Sequence, residues 1–139
     1  MGNYILVVDE VLAESDFLSI HVPISPSTRG LIGERELNLM KKGAFLLNIS
    51  RGDIVDEKAL NRALQEGRIR GAALDVFTSE PPMGSPLLTL DNVILTPHMG
   101  AYTFEALKET GMVCARSIVD VFKGEKPQFI VNPEVLNSK

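Results

Sequence analysis

The sequence is poor in the residues that form cross-links or hold metal ions. It contains one cysteine, Cys114, and two histidines, His21 and His98. A single cysteine cannot form an internal disulfide, and these three residues cannot supply the four ligands of an ordinary structural zinc site. We therefore predict no metal centre, and we predict a cytoplasmic protein because disulfides are rare in a reducing compartment.

The sequence also lacks an excess of positive charge and any long hydrophobic run. Fourteen Lys and Arg against eighteen Asp and Glu give a formal net charge of -4, which offers no general attraction to nucleic acid or anionic lipid. The longest early apolar run, residues 4–8, is too short for a signal peptide core or a transmembrane helix. We expect neither nucleic acid nor a membrane as a partner.

A glycine-rich phosphate-binding turn is missing as well. Dinucleotide-binding α/β domains normally carry Gly-x-Gly-x-x-Gly after the first strand, because glycine lets the backbone approach a pyrophosphate. Gly30-Leu31-Ile32-Gly33 has the wrong spacing and does not directly follow a strand, and there is no Gly-Lys-Ser/Thr loop. The residues alone therefore do not predict a nucleotide site.

What is present predicts one α/β domain with a substantial core. Of the 139 residues, 45% are hydrophobic and 23% are charged, as in ordinary globular domains. Short apolar runs alternate with helical patterns, which indicates a parallel sheet covered by helices on both faces. The runs predict five strands, at residues 4–8, 17–22, 44–49, 71–77 and 93–95.

Apolar spacing and end signals predict three helices. The helix at residues 34–40 precedes Lys41-Lys42-Gly43, where two cations and a glycine suit a C-terminus. Asp56 is the predicted N-cap of a second helix that stops at Gly67, and Thr103 caps a long third helix. We divide the chain into a domain at residues 1–122 and an irregular C-terminal arm at residues 123–139.

Arg51 directly follows the strand predicted at residues 44–49. Ligands bind at this carboxyl edge of open parallel sheets, and an arginine there can hold a carboxylate through two hydrogen bonds. Gly52 beside it allows close approach of the backbone. The alternative interpretation is a surface ion pair with Asp53 or Asp56, which requires no ligand.

Asp75, Glu80 and the two histidines are the other candidates. Asp75 lies within an apolar strand, and because burial of an unpaired carboxylate is costly it needs a strand-end position or a dedicated partner. Glu80, just past that strand, is either functional or a solvated loop residue. His98 and His21 follow strands; histidine exchanges protons near neutral pH, although a lone histidine in such a loop is more often structural.

Three successive strand ends would bring an arginine, a carboxylate and a histidine to one crevice. An arginine that binds an anion, beside a histidine oriented by a carboxylate, suits proton transfer at the oxygen of an α-hydroxy or α-keto acid. No protein side chain donates hydride, so this chemistry also implies a nicotinamide cofactor.

At these positions the sequence resembles the D-isomer-specific 2-hydroxyacid dehydrogenases. Several motifs in order, at the spacing of the family, are far more specific than any one of them. They run from about residue 13 to residue 136 and include Ala13-Glu14-Ser15-Asp16 with His21-Val22-Pro23, Thr28-Arg29-Gly30-Leu31-Ile32, Asn48-Ile49-Ser50-Arg51-Gly52, Ala73-Leu74-Asp75-Val76-Phe77 with Glu80-Pro81, and Thr96-Pro97-His98-Met99-Gly100.

The resemblance implies a partial Rossmann-type doubly wound parallel sheet and an NAD- or NADP-dependent oxidoreductase acting on small 2-hydroxy and 2-keto acids. It implies that Arg51 binds the substrate carboxylate, that His98 is the general acid/base, and that Glu80 partners His98. It places Asp75 at the nicotinamide end of the cofactor. The cofactor cleft that it implies is formed, partly through backbone atoms, by Val22, Pro23, Ile49, Ser50, Arg51, Asp75, His98, Gly100 and Ala101.

The sequence departs from the family pattern in its extent. Family enzymes are more than twice as long, and their substrate domain, glycine-rich turn and ribose-binding acidic residue have no counterpart here. One interpretation is therefore part of a dehydrogenase, with catalytic residues and half a cofactor cleft, whose isolated chain binds the cofactor weakly. The other is a non-catalytic interaction module, a homo-oligomer in which a partner chain or the strand at residues 4–8 covers an exposed sheet edge.

Overall fold

The computed structural model describes residues 7–137, and its centre is a four-stranded parallel sheet. The strands are hydrogen-bonded in sequence order and all neighbours are parallel, which confirms the predicted parallel α/β sheet. They are shorter than predicted at their carboxyl ends, where the chain turns into loops. Their bounds are β1 (Phe17–Ile20), β2 (Phe45–Asn48), β3 (Gly71–Leu74) and β4 (Val93–Leu95).

Four α-helices accompany the sheet, and three of them agree with the sequence predictions. Both predicted N-caps are confirmed: Asp56 accepts hydrogen bonds from the N–H groups of Lys58 and Ala59, and Thr103 accepts one from Ala106. Each cap satisfies donors that have no partner within the helix. The helices are α1 (Val8–Glu14), α2 (Glu34–Leu39), α3 (Glu57–Gln65) and α4 (Phe104–Phe122).

The first helix corrects a sequence prediction. Of the strand predicted at residues 4–8, residues 4–6 lie outside the described residues, and Val8 begins α1 instead. Two carboxylates in the first turn, Asp9 and Glu10, favour a helix because they oppose the positive end of its dipole. Leu12 is fully buried and fixes α1 to the core. With seven residues, α1 is too short for helical periodicity to be visible in the sequence.

The chain forms two compact units, Met1–Gly100 and Ala101–Lys139. The first unit contains the sheet with α1, α2 and α3, and the second contains α4 and the 3-10 turn Pro133–Asn137. The predicted boundary between residues 122 and 123 stays a prediction. Within residues 7–137, none of the helices has the length and apolar character needed to cross a bilayer.

Helices α1, α2 and α3 share one hydrophobic cluster with one face of the sheet, which contributes the buried residues Ile20, Leu46, Ala72 and Leu74. The topology explains this arrangement. Each strand is followed by a crossover to its neighbour in the same direction, and right-handed crossovers of that kind place their helices on one face. On the opposite face Phe17 and Ile94 are 70% and 69% exposed.

We predict that the cluster beneath α3 dominates the stability of the first unit. Leu60 is 0% exposed, so Leu60→Ala should lower the free energy of unfolding by about 3 kcal/mol through lost burial and a residual cavity. Leu88→Ala is the control, because Leu88 is 50% exposed and should cost less than about 1 kcal/mol. Urea denaturation measures both values, and equal losses would contradict the assignment of the core.

Candidate active site

The carboxyl ends of β2, β3 and β4 surround one cavity of about 350 Å³. Parallel strands end at the same edge of a sheet, so the loops that follow them are neighbours although they are distant in sequence. The structure therefore brings together three predicted catalytic residues, Arg51, Glu80 and His98. The remaining lining residues are Ile24, Arg29, Gly52, Asp53, Phe77 and Thr78.

Glu80 and His98 form a hydrogen-bonded pair. The Nδ1 atom of His98 lies 2.7 Å from Oε2 of Glu80, while the Phe77 N–H donates to the other carboxylate oxygen at 3.0 Å. The bonds from His98 and Phe77 hold the pKa of Glu80 below its usual value, against the smaller opposing effect of burial. An ionised carboxylate only accepts, so Nδ1 carries a proton and Nε2 is the atom left for exchange.

The loop that carries His98 has an uncommon backbone conformation. His98 has a φ of 53°, in the left-handed region that costs a residue other than glycine roughly 1–3 kcal/mol. Asp75 holds the loop on both sides of this residue. Its Oδ1 accepts from Thr96 Oγ1 at 2.5 Å and from the Met99 N–H at 2.8 Å. Its Oδ2 accepts from the Gly100 N–H at 2.8 Å.

Asp75 is a buried carboxylate, only 6% exposed, directly after β3. Burial by itself would raise its pKa, but the hydrogen bonds from Thr96, Met99 and Gly100, together with the charge of His98, lower the pKa below the usual value. The sequence requires a strand-end position or a dedicated partner, and the structure provides both. With three donors bound, one lone pair of Oδ2 remains available.

Arg51 is exposed, and its guanidinium is free of carboxylate partners among the described residues. Its Nη1 donates to the carbonyl of Ser50 at 2.7 Å. The two carboxylates considered as ion-pair partners are occupied elsewhere, since Asp53 binds Arg29 and Asp56 caps α3. Arg51 is therefore a cation on the cavity wall that can accept an anionic ligand.

Asn48 builds the turn that presents Arg51, a role that the sequence analysis missed. Its side chain is 1% exposed. Its amide nitrogen donates to the Arg51 carbonyl at 2.9 Å, and its amide oxygen accepts from the Ser50 N–H at 3.1 Å. The available signal was an amide at the end of an otherwise apolar strand, because such a residue needs two local partners when buried.

The predicted cofactor residues at the ends of β1 and β2 lie side by side. Ser50 Oγ donates to the carbonyl of Val22, just before Pro23. The side chains of Val22 and Ile49 are 36% and 51% exposed, so they form an open apolar shelf.

The shelf fits an aromatic nicotinamide ring, and the spare lone pair of Asp75 fits its amide. Gly100, bonded to Asp75, belongs to the first unit and Ala101 begins the second. By contrast, His21 contacts Ser19 at 2.8 Å and is outside the cavity lining. Within residues 7–137 no three His, Cys, Asp or Glu side chains are grouped so as to hold a metal ion.

Comparison with known proteins identifies the class to which this arrangement belongs. The family model described as "D-isomer specific 2-hydroxyacid dehydrogenase, NAD binding domain" matches residues 2–100. The chain belongs to this family. The match covers the whole sheet and every lining residue of the cavity.

Individual relatives agree with the family. The chain is 52% identical to a D-3-phosphoglycerate dehydrogenase of Methanocaldococcus jannaschii, over 90% of this chain and 24% of that protein. It is 49% identical to a glyoxylate reductase of Thermofilum pendens, over 93% and 38% respectively. An NAD-complexed D-isomer specific 2-hydroxyacid dehydrogenase from Lactobacillus delbrueckii ssp. bulgaricus superposes with a TM-score of 0.77 at 37% identity, over 89% of this chain and 42% of that one.

These comparisons also define how much of a family enzyme the chain represents. It spans between about a quarter and two fifths of the length of the curated relatives it matches. The agreement in fold is nonetheless close, since solved family structures cover 88% and 91% of this chain with TM-scores of 0.80 and 0.85. The Rossmann-type sheet predicted from the family resemblance is confirmed.

We predict that Asp75 stabilises the His98 loop in a pH-dependent way. In Asp75→Asn the amide group has to face one of the loop N–H donors, so the free energy of unfolding at pH 7 should fall by about 2–3 kcal/mol. Because folding lowers the pKa of Asp75, its contribution is complete above the ordinary value of 3.8 and is lost as the pH falls through the folded value. The gap between wild type and variant should therefore narrow below that pH.

Urea denaturation at neutral and acidic pH measures this gap. Asp91→Asn is the matched control, because Asp91 is exposed and its replacement should change stability by less than about 0.5 kcal/mol. A gap between wild type and Asp75→Asn that is the same at both pH values would contradict the role given to the carboxylate.

Proposed function

We propose that this chain carries the carboxylate-binding and proton-transfer residues of an NAD-dependent oxidoreductase that interconverts small 2-hydroxy and 2-keto acids. One observation carries the proposal: the ion-paired Glu80 and His98 share a cavity with Arg51, whose guanidinium has no carboxylate partner among the described residues. A cation for the substrate carboxylate and an oriented imidazole for its neighbouring oxygen are what this reaction requires of side chains.

Arg51 would bind the substrate. Its planar guanidinium can make two parallel hydrogen bonds to a carboxylate, which fixes the orientation of the acid as well as its position. The Asn48 side chain secures the Arg51 turn from the buried side. Substrate orientation therefore depends on a part of the turn that is itself immobilised by two hydrogen bonds.

His98 would exchange the proton of the substrate oxygen through Nε2. During reduction of a keto acid the imidazolium donates its Nε2 proton to the carbonyl oxygen, and during oxidation the neutral Nε2 accepts the hydroxyl proton. Glu80 remains ionised and keeps the other proton on Nδ1, so the ring has the correct tautomer in both directions. NAD, when bound, donates or accepts the hydride.

The residues on this chain fit the nicotinamide end of the cofactor. Val22, Pro23, Ile49 and Ser50 would line its cleft beside Arg51 and His98, and Asp75 with the backbone of Gly100 and Ala101 would complete the set. The sequence contains no glycine-rich turn for the pyrophosphate, which favours weak cofactor binding by a polypeptide of these 139 residues. The acid that serves as substrate and the choice between NAD and NADP are set by residues other than these.

We expect the 139 residues to function when they replace the matching segment of the Thermofilum pendens glyoxylate reductase. The hybrid should reduce glyoxylate with NADH. In this hybrid His98→Asn should lower kcat by about 10²–10⁴-fold, because proton transfer loses its acid. Arg51→Lys keeps the charge but loses the two-bond geometry, so its main effect should be a higher KM. Steady-state kinetics measures both effects.

Two controls make this experiment decisive. His21→Asn in the same hybrid should leave kcat within about two-fold of its original value, since His21 is outside the cavity lining. The isolated chain should show negligible turnover and weak NADH binding by titration calorimetry. Equal activity of the His98→Asn and His21→Asn hybrids would refute the catalytic assignment.

A second candidate function is an interaction module that forms a homo-oligomer. It is favoured by the outer edge of β1, which is a terminal strand of the sheet, and by the exposed ring of Phe17 stacked 5.2 Å from Phe45. Unpaired strand edges and apolar patches favour association with another chain. A cytoplasmic location, which we also propose, is supported by Cys114, a free and exposed cysteine.

We predict that the isolated chain is at least a dimer and that Phe17 contributes to the interface. Phe17→Glu places a charge at this edge and should shift the molecular mass measured by light scattering towards that of a monomer. Met83→Glu is the control at another exposed apolar residue, 85% exposed in a loop away from the sheet. A wild-type chain that is monomeric at every concentration would disprove the assembly.

A further inference from the structure

The peptide unit between Phe77 and Thr78 is held between two parts of the chain that the proposed chemistry does not use. On one side is Gly52, where an added Cβ would lie 1.9 Å from the Phe77 carbonyl carbon, so the two backbones are in direct contact. On the other side is Glu57, whose Oε1 accepts the Thr78 N–H at 2.6 Å. The peptide therefore has a steric contact and a charge-assisted hydrogen bond, both from sequence-distant residues.

This peptide unit begins the loop that carries Glu80. The Phe77 N–H binds one carboxylate oxygen of Glu80, and the other oxygen binds His98. Gly52, which touches the same peptide, follows Arg51 in the chain. The placement of the Phe77–Thr78 peptide consequently determines the spacing between the cation and the acid/base pair.

Glu57 is well placed to fix this peptide because it belongs to a rigid element. It is the first residue of α3, and α3 is attached to the core through Leu60 and Leu64, which are 0% and 3% exposed. The N-terminus of α3 is already capped by Asp56. The long Glu57 side chain is thus available to bind a backbone N–H 21 residues away.

We propose that Glu57 is a positioning residue: its carboxylate holds the Phe77–Thr78 peptide against Gly52 and so keeps Glu80 and His98 at the correct distance from Arg51. This assignment rests on the proposed function for its catalytic meaning. Its structural content, the dependence of the Glu80–His98 pair on Glu57, can be measured without turnover.

Two substitutions at Glu57 separate positioning from a general effect on α3. Glu57→Gln loses the charge but keeps an oxygen that can reach the Thr78 N–H. Glu57→Asp keeps the charge in the first helical turn but is one methylene too short. If the hydrogen bond is what matters, Gln preserves the loop and Asp does not; if the charge at the helix N-terminus matters, the order reverses.

NMR spectroscopy of the full 139-residue chain supplies the readouts. In Glu57→Asp, hydrogen exchange of the Thr78 amide should be about ten-fold faster than in wild type. The pKa of the Glu80 carboxyl should rise towards its usual value, because the bonds from His98 and Phe77 that lower it become longer. In Glu57→Gln both quantities should stay close to those of wild type.

Glu66→Asp is the matched control, an exposed glutamate at the other end of the same helix, and should alter neither quantity. The proposal is overturned if Glu57→Asp leaves Thr78 exchange and the Glu80 titration unchanged, or if Glu57→Gln alters them as strongly as Glu57→Asp. These results are independent of the hybrid enzyme: an inactive hybrid with the expected NMR changes would reject the proposed function but keep the positioning role.

Discussion

The carboxylate of Asp75 is the interaction on which the arrangement of the site depends. It is buried where β3 ends, and it accepts hydrogen bonds from residues on either side of His98. A buried charge is costly unless several donors compensate it, so the loop after β4 cannot move away from β3 without leaving that charge exposed to an apolar environment. The same bonds hold His98 in a left-handed backbone conformation, and thereby direct its ring towards Glu80.

Around this anchor, the cavity is assembled from backbone contacts as much as from side chains. Asn48 fixes the turn of Arg51, and Gly52 places that turn directly against the loop that leads to Glu80. The three groups needed for anion binding and proton transfer therefore stand on loops whose ends are joined to rigid strands and to one another. Preorganisation of this kind reduces the entropy lost when a substrate is bound in a reactive orientation.

Much of the site could be predicted from the sequence because its chemistry is local. Arg51, Glu80 and His98 each follow an apolar strand, and the motifs around them define the family. The contacts that position these residues could not be predicted in the same way. Glu57 resembles an ordinary acidic residue in a first helical turn, and its bond to Thr78 depends on the packing of α3 beside the loop after β3.

The sequence by itself determined the parallel α/β sheet, the helix caps at Asp56 and Thr103, and the residue types that gather at the carboxyl ends of the strands, because these follow from hydrophobic periodicity and local hydrogen bonding. Tertiary structure alone decided that residue 8 begins a helix, since burial of Leu12 overrides the strand preference of a short valine run. It also decided that α1, α2 and α3 share one face. Handedness of successive crossovers and packing between distant segments act only on the folded chain.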